Sequence, residues 1–219
     1  MNNIEIKTLE NELKYNGEII LKYRIEYPQI REFYPLLGKM AFNTYNAENA
    51  LKLQKYCEDE LFKEAKELYD FNKANNYPIM VYEVLLTFTI TYFRNNLISL
   101  FSDEYIFSGG AHGSTTRVSQ NWNLSIGRQF DLQYIYGHDP YYQINILKEI
   151  NNQIKYQISH GQNQYFENYC ELVLDSFNLK NFYFNSKNAI IFFQQYDIAP
   201  YSSGIPTFYI PLPSQLLNK

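Results

Sequence analysis

Cysteine and histidine are scarce in this chain, with two of the first and three of the second among 219 residues. Cys57 and Cys170 lie far apart and fit no CxxC or metal spacing, so both are expected as free, buried thiols rather than a disulfide. No His-x-His, His-Glu-x-x-His or paired cysteine offers the ligands that zinc requires, and the sequence implies no cofactor. A basic excess is missing too: 19 Lys and Arg face 23 Asp and Glu, a net charge of −4. That leaves no electrostatic footprint for a nucleic-acid backbone or an anionic lipid surface. No stretch approaches the ~18 apolar residues of a membrane span, and Met1–Lys7 lacks the basic-then-apolar pattern of a leader. Read alone, the chain is expected in the cytoplasm.

What the chain has is apolar and aromatic bulk: 46% apolar residues, 22 Tyr and 16 Phe against one Trp. Disorder is excluded, a β-rich fold is favoured, and the length suits one compact domain or two small ones. Ile19, Leu21, Tyr23, Ile25 and Tyr27 alternate with charged residues as a half-buried strand does, and runs 3–8 and 11–15 read as its companions. From Phe33 to Asn75 the period lengthens. Leu53, Cys57, Leu61, Ala65 and Leu68 predict a long amphipathic helix from about Asn46, after a shorter helical piece and ended by Asn75-Asn76-Tyr77-Pro78. Alternation over 80–92, a turn at Asn95-Asn96, and runs 97–107 and 114–124 predict long antiparallel strands, with a short one at 129–135. A helix follows, capped by Asp139 with Pro140 in its first turn, striped by Leu147, Ile150, Ile154 and Ile158, and closed by Gly161. A second helix over 165–177 and strands at 181–185, 189–197 and 206–211 complete the chain. The expected class is α+β: an antiparallel β-meander with a long amphipathic helix before it and a helix pair packed on the sheet.

The run Ser108-Gly109-Gly110-Ala111-His112-Gly113 joins two of these strands. Its glycines permit positive φ or close backbone approach, which gives the loop a defined shape. It is no phosphate loop, lacking the Lys-Ser/Thr ending, and Ser108 is no nucleophile elbow, since a strand follows rather than a helix. His112 is placed either to meet a ligand or to hold the loop's own backbone. His138 sits in the turn beside Asp139, and His160 suits a helix C-terminus. No catalytic constellation is formed, although a hydrolase using His112, with loop amides opposing developing negative charge, stands as an alternative. Among the aromatics, Tyr201, between Pro200 and Ser202-Ser203-Gly204, reads as an exposed contact or as a core residue.

A strand leading into Ser108–Gly113, a helix pair, and then Tyr196-Asp197-Ile198-Ala199-Pro200-Tyr201-Ser202-Ser203-Gly204 before Phe208-Tyr209-Ile210-Pro211 resembles a bacterial domain found outside the membrane. It occurs in the lysozyme-sensing anti-sigma factor RsiV and before the catalytic domain of the peptidoglycan deacetylase PdaC. The resemblance covers about 4–213, with residues 1–77 as the PdaC-like part and 78–219 as the RsiV-like part of one compact unit. It implies an extracytoplasmic, non-enzymatic binding domain whose partner is a lysozyme-like protein or a peptidoglycan fragment. The contact surface it implies is Ser108, Gly109, Gly110, Ala111, His112 and Gly113 together with Pro200, Tyr201 and Gly204. Sigma-binding, membrane-spanning and deacetylase segments do not accompany these motifs, so neither anti-sigma proteolysis nor deacetylation is expected of this chain by itself.

Overall fold

The computed structural model describes residues 3–162 and 164–213. It divides into two compact units. One takes the chain up to Phe88 with Ser102–Thr116 and Ser125–Gly127; the other takes Thr89–Phe101, Arg117–Leu124 and the chain from Arg128 onward.

The first unit opens on an antiparallel hairpin of β1 (Ile4–Tyr15) and β2 (Glu18–Ile30). Asn16 and Gly17 turn it with φ of 50° and 84°, the two positive values that suit a two-residue hairpin loop. The runs expected at 3–8 and 11–15 are therefore one strand. A continuous helical stretch follows: α1 (Leu36–Tyr56), a π-helical turn at Cys57–Leu61, and α2 (Phe62–Ala74). It begins well before Asn46, because the inward stripe already starts at Gly38 and Phe42. The π turn has a cause in the spacing. Leu53, Cys57, Leu61, Ala65 and Tyr69 are all buried at steps of four, and each such step overshoots a 3.6-residue turn by about 40°. One wider turn absorbs that drift and keeps the stripe on the core.

The chain then returns as β3 (Tyr82–Arg94), paired with β2 in parallel from Leu21↔Tyr82 to Ile25↔Leu86. The expected antiparallel strands thus gain one parallel pairing: a helix spans the connection, so the strand comes back in the same direction. β4 (Leu97–Phe107), β5 (Ser114–Asn123) and β6 (Arg128–Gln129) extend the sheet in the order β1-β2-β3-β4-β5-β6. Strands β3, β4 and β5 each begin in one unit and end in the other. Ile20, Leu21, Ile25, Cys57, Leu61 and Val84 form the core of the first unit. On the other face of its hairpin, Arg24 pairs with Glu10 and Glu26, each at 2.7 Å.

In the second unit, the strand expected at 129–135 is only β6 followed by α3 (Leu132–Tyr136). Asp131 decides this locally, its carboxylate accepting from Gln133 N at 2.9 Å as a helix N-cap. α4 (Tyr142–Ser159) buries Tyr142, Ile146, Ile150 and Ile154. Of the expected stripe, Leu147 is only half-buried and Ile158 is exposed. α5 (Tyr169–Ser176) is shorter than expected. β7 (Phe182–Phe184), β8 (Asn188–Phe192) and β9 (Thr207–Pro211) make an antiparallel sheet in that order. Side chains satisfy the backbone of β7: Ser99 Oγ accepts from Phe184 N at 2.8 Å and donates to Asn121 Oδ1 at 2.7 Å. Asn121 Nδ2 and Thr91 Oγ1 donate to the carbonyls of Phe182 and Phe184, both at 2.7 Å. Phe182, Phe184, Ile150, Ile154, Val173 and Phe208 lie at the centre of the second core. Both cysteines are free; Cys57 is buried, but Cys170, in the first turn of α5, is exposed, contrary to expectation. Among the described residues no helix is long and apolar enough to cross a membrane.

Candidate functional site

Ser108–Gly113 belongs to the first unit, and Pro200, Tyr201 and Gly204 to the second. The glycine loop links β4 to β5 and is shaped by what it packs on. Gly109 has φ of 82°, and a Cβ there would lie 2.8 Å from Leu68 Cδ2 of α2. Gly110 has φ of 126° with open space around it. Gly113 sits where a Cβ would come within 2.5 Å of the Tyr105 ring and 2.7 Å of the Ile106 carbonyl. Ser108, Ala111 and His112 are exposed. The His112 Nδ1 lies 3.0 Å from the Gly113 carbonyl; a carbonyl only accepts, so Nδ1 carries the proton. The imidazole thereby braces the loop it sits in.

Elsewhere in the first unit the chemistry is muted. Burial, and then the charges of Glu104 and Glu58, push the Cys57 thiol up to about 12, which leaves it un-ionised and unreactive at neutral pH. Burial also raises the Glu104 carboxyl above its usual range. Glu58, turned inward at the π turn, accepts from Tyr23 Oη at 2.5 Å and from Gln54 Nε2 at 3.0 Å. Among the described residues no group of three His, Cys, Asp or Glu is arranged to hold a metal ion.

The second loop presents aromatic surface. Tyr201 opens a short 3-10 turn, Tyr201–Ser203, after Pro200, and Gly204 leaves it with φ of 66°. Its ring lies 5.8 Å from that of Tyr196, with the planes tilted by 33°. Tyr196 is 55% exposed and has φ of 68°, a conformation that is strained for an aromatic residue and gathers at functional positions. Three braces hold the turn. Ser203 Oγ donates to the Gln164 carbonyl at 2.9 Å. Gln194 Nε2 donates to the Arg117 carbonyl at 2.6 Å, while its Oε1 accepts from Arg117 N at 2.9 Å. Asp197 Oδ2 accepts from Gln194 N at 2.8 Å and tightens the turn on which Tyr196 stands. The Arg117 guanidinium lies 4.0 Å above the Phe101 ring, a cation–π stack beside the Gln194 anchor.

Sequence reasoning singled out Tyr201 but not its ring neighbour Tyr196, nor the Gln194–Arg117 bonds beside them. No residue-level signal marks a tyrosine for the left-handed region, and Gln194 and Arg117 stand far apart in sequence.

Comparison with known proteins matches residues 15–115 to the family model "Deacetylase PdaC" and residues 139–212 to "Protein of unknown function (DUF3298)". No curated protein matches the chain. A solved structure of a DUF3298 family member from Bacteroides fragilis is 16% identical, with TM-score 0.66, covering 98% of this chain and 92% of that one. A DUF3298 family protein from Pseudomonas aeruginosa is 15% identical, with TM-score 0.57, covering 98% and 93%. At those identities the likeness is one of fold. The chain is thus similar to the PdaC model over 15–115 and to the DUF3298 model over 139–212, and it shares the fold of the two DUF3298 family structures.

Proposed function

We propose that this chain is a non-enzymatic binding domain of the cell envelope that recognises a lysozyme-like protein or a peptidoglycan-derived glycan. The observation that carries the reading is the pair of exposed Tyr196 and half-buried Tyr201, displayed from a braced, strained turn within the DUF3298 segment. Tyrosine offers a flat apolar face with a wet hydroxyl, which suits stacking on a sugar ring or anchoring in a protein cleft. Preorganisation matters here, since a loop already held in shape loses little entropy on binding. The glycine loop, Ser108 to Gly113, is the second recognition element of this reading.

Isothermal titration against lysozyme and against soluble muropeptides tests the proposal. One of the two is expected to bind saturably, with Tyr201→Ala and Tyr196→Ala each weakening it about tenfold or more while Tm is kept. Absence of heat with both ligands, or release of acetate from an N-acetylated glycan, would overturn it.

A further inference from the structure

The outward side of α4 and α5 carries a groove of about 360 Å³, lined by Ile144, Leu147, Lys148, Asn151, Lys155 and Leu174 among others. Residues 144, 148, 151 and 155 share one helix face by their spacing. Ile144 and Leu174 are 52% and 60% exposed, an unusual placing for large aliphatic side chains standing opposite each other across a concavity. Lys148 and Lys155 stand seven residues apart, about 10 Å along the helix axis. Among the described residues neither is ion-paired, and no carboxylate lines the groove. Asn151 lies between the lysines. Its Nδ2 donates to the Leu147 carbonyl at 2.9 Å, which fixes the amide, and its Oδ1 is buried without a hydrogen-bond partner among the described residues.

An apolar floor and two uncompensated cations thus share one concavity, in a volume within the range of small-molecule sites. The geometry points to a binding site for a single-chain anionic amphiphile, its tail lying on Ile144, Leu147 and Leu174 and its acid group held by Lys148 and Lys155. A small soluble ligand fits the observations better than a protein segment, because the concavity is short and two lysines bound it. The site is separate from the tyrosine loop and does not depend on the function proposed above.

Sodium decanoate, titrated into the 15N-labelled full chain below its micelle-forming concentration, tests it. Saturable amide shifts are expected in α4 and α5, centred on 144–155 and Leu174. The double variant Lys148→Gln/Lys155→Gln is expected to weaken Kd about tenfold, and to do so less in high salt. Leu174→Asp, on an exposed position, is expected to abolish binding while leaving the spectrum folded. Equal binding of decyltrimethylammonium, shifts centred elsewhere, or decanoate affinity unchanged in the lysine variant would each overturn the assignment. So would failure with decanoate alongside sedimentation with phosphatidylglycerol vesicles, which would make the face a membrane contact instead.

Discussion

Gly113 needs no special φ, yet nothing larger fits there, because the Tyr105 ring and the Ile106 carbonyl already occupy the place of a Cβ. The Ile106 carbonyl is backbone, so the loop or β4 must shift to admit one. Gly113→Ala is expected to cost about 1–3 kcal/mol, lowering Tm by roughly 2–12 °C, while Ser108→Ala at the exposed start of the loop leaves it unchanged. Equal melting of the two variants in a thermal scan would contradict that packing. Glu104 is a second residue whose surroundings decide its behaviour. Burial raises its folded-state value above the 4.5 of an ordinary glutamate, so the folded chain holds that proton more tightly than the unfolded chain does. Stability therefore falls as pH rises from about 4.5 through the raised value, and the penalty is constant above it. Glu104→Gln removes the titration. It is expected to raise the denaturation midpoint at pH 7.5, with the gain shrinking towards pH 4.5; a gain independent of pH would exclude the burial effect. At this scale the glycine loop was legible, because glycine and histidine announce themselves by type. Tyr196 was not, since the sign of φ at a tyrosine is imposed by the Gln194–Asp197 turn and by no property of tyrosine.

Side-chain amides do much of the joining between elements. Asn43 of α1 accepts from Ile30 N at 2.8 Å and donates to Ile30 O at 3.0 Å, acting as a one-residue strand partner for the end of β2. Gln153 of α4 treats Tyr209 of β9 in the same way, at 3.1 Å and 2.8 Å. Gln194 does so for Arg117 of β5. Each supplies a donor and an acceptor where a strand edge would otherwise leave both unmet. Replacing Gln194 by Glu keeps the shape and the acceptor but removes the donor to Arg117 O. Gln194→Glu is expected to cost about 1–3 kcal/mol and to loosen the Tyr196–Tyr201 turn, read as faster amide exchange at 195–204. Exchange confined to Arg117 would show that the brace does not govern the turn. The elements themselves were largely readable. The Asn95-Asn96 turn located β4 at 97–107, and those residues turn with φ of 52° and 61° as a hairpin demands. Reading failed where a local bond outranked the pattern. Phe130, Leu132 and Tyr134 alternate like a strand, but the Asp131 cap starts a helix among them. The parallel pairing of β2 with β3 was invisible for another reason: alternation reports the buried face of a strand and not its direction.

The two apolar cores are separate in composition, one gathered on the β1–β3 and α1–α2 side chains and the other on α3–α5 and β7–β9. Three strands nevertheless run through both units, so unravelling either unit takes part of β3, β4 and β5 with it. Continuity of that kind couples the units through the backbone itself, whatever else joins them. A single cooperative transition is the expected result, and the chain contains the probes to test it. Trp122, the only tryptophan, is buried in the second unit. The longest helical stretch, 36–74, belongs to the first and contributes much of the far-ultraviolet ellipticity. In a guanidinium titration the fluorescence and ellipticity midpoints are expected to coincide, as two-state unfolding requires. A fluorescence transition displaced from the ellipticity transition would mean that the units unfold independently, and the three through-running strands would then act as hinges between two folding units rather than as a shared frame.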